Sequence, residues 1–75
     1  MVKAYILVKF VAGAEAQEPE PTLLRLPGVK GVDFVMGPYD AVVMVEAADF
    51  AALGQVAHTI RMAPGVQDSM TCPVI

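Results

Sequence analysis

The chain is predicted to fold as an α+β domain with the element order βαββαβ, and three features of the sequence carry that prediction. Strand-length apolar runs alternate with a helical stretch in each half. The tripeptide Pro-Gly-Val occurs twice, as Pro27-Gly28-Val29 and Pro64-Gly65-Val66, each time between a helical stretch and a strand-like one. Between the halves, largely apolar runs over 32–36 and 41–46 flank the turn chemistry of Gly37-Pro38-Tyr39-Asp40, which reads as two antiparallel strands joined by a short connection. A strand–helix–strand unit used twice gives the split-βαβ, ferredoxin-like arrangement: a four-stranded antiparallel sheet with two helices on one face.

The elements follow in order. Residues 2–10 form the first strand, with Val2, Ala4, Ile6, Val8 and Phe10 on one face and Lys3, Tyr5, Leu7 and Lys9 on the other. That second face is charged only at its ends, which suits burial against another subunit. Pro19 and Pro21 confine the first helix to residues 18 or 20 to 25, because proline is tolerated in a first turn and disruptive further in. Residues 12–17 are expected to be less regular, and Leu23, Leu24 and Leu26 to point inward. The second strand runs from Val29 to Met36 and the third from Asp40 or Ala41 to Glu46. Asp49 is a predicted N-cap for a helix whose stripe is Phe50, Leu53, Ala57 and Ile60, with Gln55, His58, Thr59 and Arg61 off it. The last strand spans residues 66–74.

Composition bounds the rest. Seventy-five residues make one small domain, and such a domain buries only about 60% of its unfolded surface. A single cysteine, Cys72, forms no internal disulfide, and no Cys/His cluster offers a structural metal. The chain is 56% hydrophobic, more than one small core uses, so self-association is the expected source of extra stability. Tyr5, Leu7, Ile75 and either Val43 with Val45 or Val42 with Met44 would line the sheet face that the helices leave bare. A patch of roughly 500 Å² corresponds to about 12 kcal/mol of gross apolar burial before association costs. No run is long enough for a membrane-spanning helix and no leader pattern precedes the first strand, so a cytoplasmic location is expected. A net charge of −3 with five basic residues argues against nucleic-acid binding.

Three segments in this order carry a family resemblance across essentially the whole chain. They are Leu26-Pro27-Gly28-Val29; Gly37-Pro38-Tyr39-Asp40 with the strand Ala41-Val42-Val43-Met44-Val45; and Ile60-Arg61-Met62-Ala63-Pro64-Gly65-Val66 followed by Ser69 and Thr71. The sequence resembles a stand-alone effector-binding (RAM) domain of the Lrp/AsnC feast/famine regulators. The helix-turn-helix of those regulators is absent from this sequence, so direct DNA contact is not implied. The resemblance implies dimers through the sheet faces, rings such as octamers or decamers, and an amino-acid effector held between subunits. It also implies the regulation of full-length Lrp/AsnC regulators or of metabolic enzymes. It places Gly37, Tyr39 and Asp40 at the ligand, with Ser69 and Thr71 as weaker candidates. The pair Pro19 and Pro21 departs from the uninterrupted helix usual in the family.

Each candidate has a plainer reading beside it. Gly37 can bring backbone N–H groups to a ligand carboxylate and Asp40 can accept from a ligand ammonium. Equally, Gly37 can supply a positive φ while Asp40 bonds nearby amides in a turn. Tyr39 is a pocket wall or an interface aromatic. His58 is read as a surface residue, Cys72 as a buried strand residue, and the methionines as core or interface filler. No catalytic residue, metal or cofactor is assigned. Without asparagine the chain lacks the partner that an acylphosphatase-like arginine needs, and Tyr39, His58 and Asp40 form no recognisable acid–base set. An ACT-like regulatory domain and a small dimeric α+β barrel enzyme are the alternatives.

Overall fold

Alternation along the first strand separates two faces, and the rest of the chain packs on one of them. The computed structural model describes residues 1–14 and 18–75, with β1 (Val2–Phe10), α1 (Pro19–Leu24), β2 (Val29–Phe34), β3 (Ala41–Ala47), α2 (Phe50–Arg61) and β4 (Val66–Pro73). The four strands form one antiparallel sheet in the order β2-β3-β1-β4. Ala4, Ile6 and Val8 of β1 and Ala41, Val43, Val45 and Ala47 of β3 are buried in one cluster with Leu23 of α1 and Leu53 and Ile60 of α2. Both helices therefore cover the same sheet face.

The opposite face is apolar and uncovered. Its centre is Tyr5 and Leu7 of β1, opposite Met44 and Val42 of β3 and Cys72 and Met70 of β4. Of the two phases open to the third strand, Val42 and Met44 take this face and Val43 and Val45 enter the core. Lys3 opposite Glu46, and Lys9 opposite Asp68, put charges at the ends of the same face.

Several expectations need correction. Cys72 is exposed, because it lies on the uncovered face of an edge strand. Leu24 is 47% exposed, since in so short a helix only Leu23 and the following Leu26 share the inward side. Phe50 is 68% exposed; on an ideal helix it stands about 80° round from Ile60, at the margin of the stripe. Pairing of β2 stops at Phe34, and Met36 and Ile75 are fully exposed. The Asp49 cap is present, its Oδ1 accepting from Ala52 N at 2.8 Å. The expectation of irregular backbone over 12–17 falls partly on 15–17, outside the described residues; before them Ala14 N donates to Val11 O at 3.1 Å in a turn.

Candidate functional site

Where β1 and β2 end and β3 begins, residues 11–14 and the start of α1 stand beside the sheet. These segments enclose an open cavity of about 790 Å³. Phe10 and Phe34 form one wall, their ring centroids 6.2 Å apart and tilted by 56°. The pairing follows from the sheet: both residues belong to the last pair of their strands that reaches the core side. Val11, Ala14, Pro19 and Pro21 add apolar lining. Asp40, Glu18 and Glu20 also line the cavity, and among the described residues no Lys, Arg or His does.

Asp40 holds these strand ends together. Its backbone N donates to Val8 O at 2.9 Å and its backbone O accepts from Val35 N at 3.0 Å. Its side-chain Oδ2 accepts from Phe10 N at 2.9 Å, taking over the place of a strand that has just ended. The carboxylate thus bonds an amide thirty positions back in sequence rather than one in its own turn. Asp40 Oδ1 makes no hydrogen bond among the described residues, so the carboxylate keeps acceptor capacity on the cavity side.

The other expected site residues are placed elsewhere. Gly37 is at an exposed tip with φ +145°, and no atom lies within 4 Å of where a Cβ would stand, so the turn needs glycine for its backbone and not for space. Tyr39 turns away from Asp40: its hydroxyl reaches Met70 Sδ at 4.0 Å on the uncovered sheet face. Lys9 Nζ donates to Pro38 O at 3.4 Å on the same side, so the connection leans over that face. Ser69 and Thr71 line neither place. With Ala57, His58 and Arg61 they border a separate groove of about 280 Å³ between α2 and β4. The five candidates thus fall into three neighbourhoods, and only Asp40 lines the large cavity.

Sequence reading missed Phe10, Phe34 and Glu18 as cavity residues and Arg61 as a groove residue. The one available signal for the first two was a phenylalanine at each strand end on the core-facing phase. Among the described residues, no group of three or more His, Cys, Asp and Glu side chains is placed to hold a metal ion.

Known proteins similar to this chain carry the same architecture. Residues 3–75 match the Lrp/AsnC ligand binding domain. A homocitrate synthase from Sulfurisphaera tokodaii is 35% identical over 74 residues, which are 99% of this chain and 16% of that protein. The chain thus spans about a sixth of the length of this curated relative. The crystal structure of hypothetical protein PHS023 from Pyrococcus horikoshii is 38% identical with a TM-score of 0.85, covering 100% of this chain and 90% of that one. The complex of transcriptional regulator NMB0573 from Neisseria meningitidis with L-Met shares the fold at a TM-score of 0.86 and 24% identity, over 99% of this chain and 49% of that one. With a match over nearly its whole length, the chain belongs to the Lrp/AsnC ligand-binding domain family.

Proposed function

We propose that this chain is a single ligand-sensing module that holds a small metabolite, an amino acid, in the cavity at Asp40. The observation that carries the reading is a carboxylate oxygen with no internal partner among the described residues, beside a wall of two phenylalanines. Such a site offers one charge-assisted acceptor for an ammonium and apolar surface for a side chain. Family membership supports the reading, as does the L-Met complex of the Neisseria regulator. Gly37, at the exposed tip of the connection that ends at Asp40, does not line this cavity and makes no ligand contact within one subunit in this reading. Tyr39 stands at the subunit boundary. The regulated partner is a cytoplasmic transcription regulator or a metabolic enzyme, and the homocitrate synthase relative favours the second arm.

A second copy covers the uncovered face in this proposal. Tyr5, at 38% exposure, and Met70, at 48%, flank Leu7 at its centre, and monomers seldom leave so contiguous an apolar patch in water. Pairs joined in this way can build a ring with ligands between subunits. Leu7→Glu should leave the domain folded and turn a dimer into a monomer by sedimentation; a wild-type monomer at micromolar concentration would remove this part of the proposal.

A thermal-shift screen over the amino acids tests the ligand. A binder present at 100 times its Kd adds about 2.7 kcal/mol to stability. Asp40→Ala also removes the acceptor for Phe10 N, which costs about 1.5–3 kcal/mol by itself. Asp40→Asn keeps an acceptor oxygen and deletes the charge, so it is the cleaner variant. The expected outcome is a near-wild-type melting temperature without ligand and loss of the ligand-induced increment. A screen in which no amino acid moves the transition refutes the reading.

A further inference from the structure

Resting on the reading of the Asp40 cavity as the ligand site, we propose that this cavity selects a ligand with an additional positive charge. The group it recognises is an ammonium or guanidinium carried on an apolar chain, as in a basic amino acid or a diamine.

The lining accepts hydrogen bonds and scarcely donates them. Among the described residues, no side chain that lines the cavity carries a donor at neutral pH, and three of them, Asp40, Glu18 and Glu20, are carboxylates. The main chain adds little. The amides of Phe10, Val11, Ala14 and Asp40 already donate within the chain, to Asp40 Oδ2, Gly65 O, Val11 O and Val8 O. Pro19 and Pro21 remove two more N–H groups from the start of α1, where free amides would otherwise meet an anion. The two prolines that shorten the helix therefore also strip this wall of donors. A ligand carboxylate finds few partners here, and a second cation finds several.

Glutamate is common at helix starts, where it complements the backbone dipole. That role does not account for Glu18, which makes no side-chain cap bond to a helix of only six residues. Among the described residues, the one salt bridge joins Arg61 to Asp68, so no Lys or Arg neutralises the carboxylates of the cavity. Phe34 agrees with this reading. It pairs with buried Ala41 on the core-facing phase, yet it is 55% exposed. With Phe10 it presents aromatic surface beside the carboxylates, and a cation is attracted to the face of such a ring.

Calorimetric titration of the whole chain with L-lysine, L-arginine, L-norleucine and cadaverine at matched ionic strength tests the selection. Norleucine keeps the apolar chain of lysine without the terminal ammonium, and cadaverine keeps both ammonium groups without the carboxylate. Lysine or arginine should bind about tenfold or more tightly than norleucine. Glu18→Gln and Glu20→Gln should each narrow that ratio about threefold, with norleucine affinity and melting temperature close to wild type. Cadaverine binding as tightly as lysine assigns the site to diamines as well; weaker binding assigns it to basic amino acids. A neutral amino acid that binds as tightly as lysine, and is lost in Asp40→Asn, overturns this proposal and leaves the Asp40 site standing. An unchanged lysine-to-norleucine ratio in both Gln variants also overturns it. Absence of binding by all four probes and by every other amino acid removes the site, and its charge selection with it.

Discussion

In the first half of the chain, Leu26 N donates to Leu23 O at 3.1 Å and Val29 N to Leu26 O at 3.2 Å; in the second, Ala63 N donates to Ile60 O at 3.1 Å and Val66 N to Ala63 O at 3.2 Å. Gly28 and Gly65 between them have φ +88° and +85°. The repeated Pro-Gly-Val is thus one helix-to-strand joint used twice. The other joints differ. Only Ala48 and Asp49 separate β3 from α2, and a capped helix of twelve residues follows. Residues 11–18 separate β1 from α1, whose six residues follow an N-cap position, Glu18, with no side-chain cap bond. The cavity is lined by the long joint of the first half, and the two-residue joint of the second half is too short to line another. The regular half supplies a frame and the irregular one an open cavity.

The two halves differ first in how their helices are anchored in the core. Leu23 is the one buried residue of α1, whereas α2 is anchored by Leu53 and Ile60. Leu23→Ala and Ile60→Ala should each cost about 2–5 kcal/mol by denaturant unfolding. Their effects on ligand response should part. Loss of Leu23 loosens the helix bordering the cavity and should abolish the amino-acid thermal shift. Loss of Ile60 should lower the melting temperature and keep the shift.

The repeated joint offers a finer contrast. A Cβ on Gly28 would meet the backbone O of Glu46 at 3.0 Å and Val56 Cγ2 at 3.1 Å, on top of the positive φ. Gly28→Ala should therefore cost about 2–3 kcal/mol, strain and crowding together. Gly65→Ala has the same φ to overcome and should cost about 1 kcal/mol from that alone. A loss at Gly28 of only about 1 kcal/mol would mean that crowding at Glu46 is relieved by a small shift.

The frame was legible in the sequence because its signals are local. Alternation in β1, the Asp49 cap and both Pro-Gly-Val stops each depend on neighbours within a few residues. Ala41–Val45 is apolar throughout, so its phase was not legible until pairing with β1 fixed which residues face the helices. The site was less legible for a related reason. Tyr39 and Asp40 are adjacent, and adjacent residues at the mouth of a strand send side chains to opposite faces. Grouping them by sequence proximity put together what the sheet separates. Ser69 and Thr71 lie across β1 from Asp40, and the bond from Phe10 N to Asp40 links two positions that no periodicity connects.

The smallest effects lie at the two helix starts, where the halves differ most. Asp49 has extended backbone and its Oδ1 meets Ala52 N at 2.8 Å, so Asp49→Ala removes a formed cap and should cost about 1 kcal/mol. Glu18 has φ +49° and ψ +63°, a left-handed conformation that an L side chain opposes, and its carboxylate accepts no hydrogen bond from the helix it precedes. What closes that first turn is Thr22, whose N and Oγ1 both bond Glu18 O, at 3.4 and 3.0 Å. Replacement by glycine keeps this carbonyl and relieves the strain, while adding freedom to the unfolded chain. Glu18→Gly should thus be stabilising by about 0.5 kcal/mol, measured as a rise in the denaturation midpoint at constant m. A loss of stability would show instead that the Glu18 side chain supports the wall of the cavity, and that the irregular start of α1 is held by the contacts of the site.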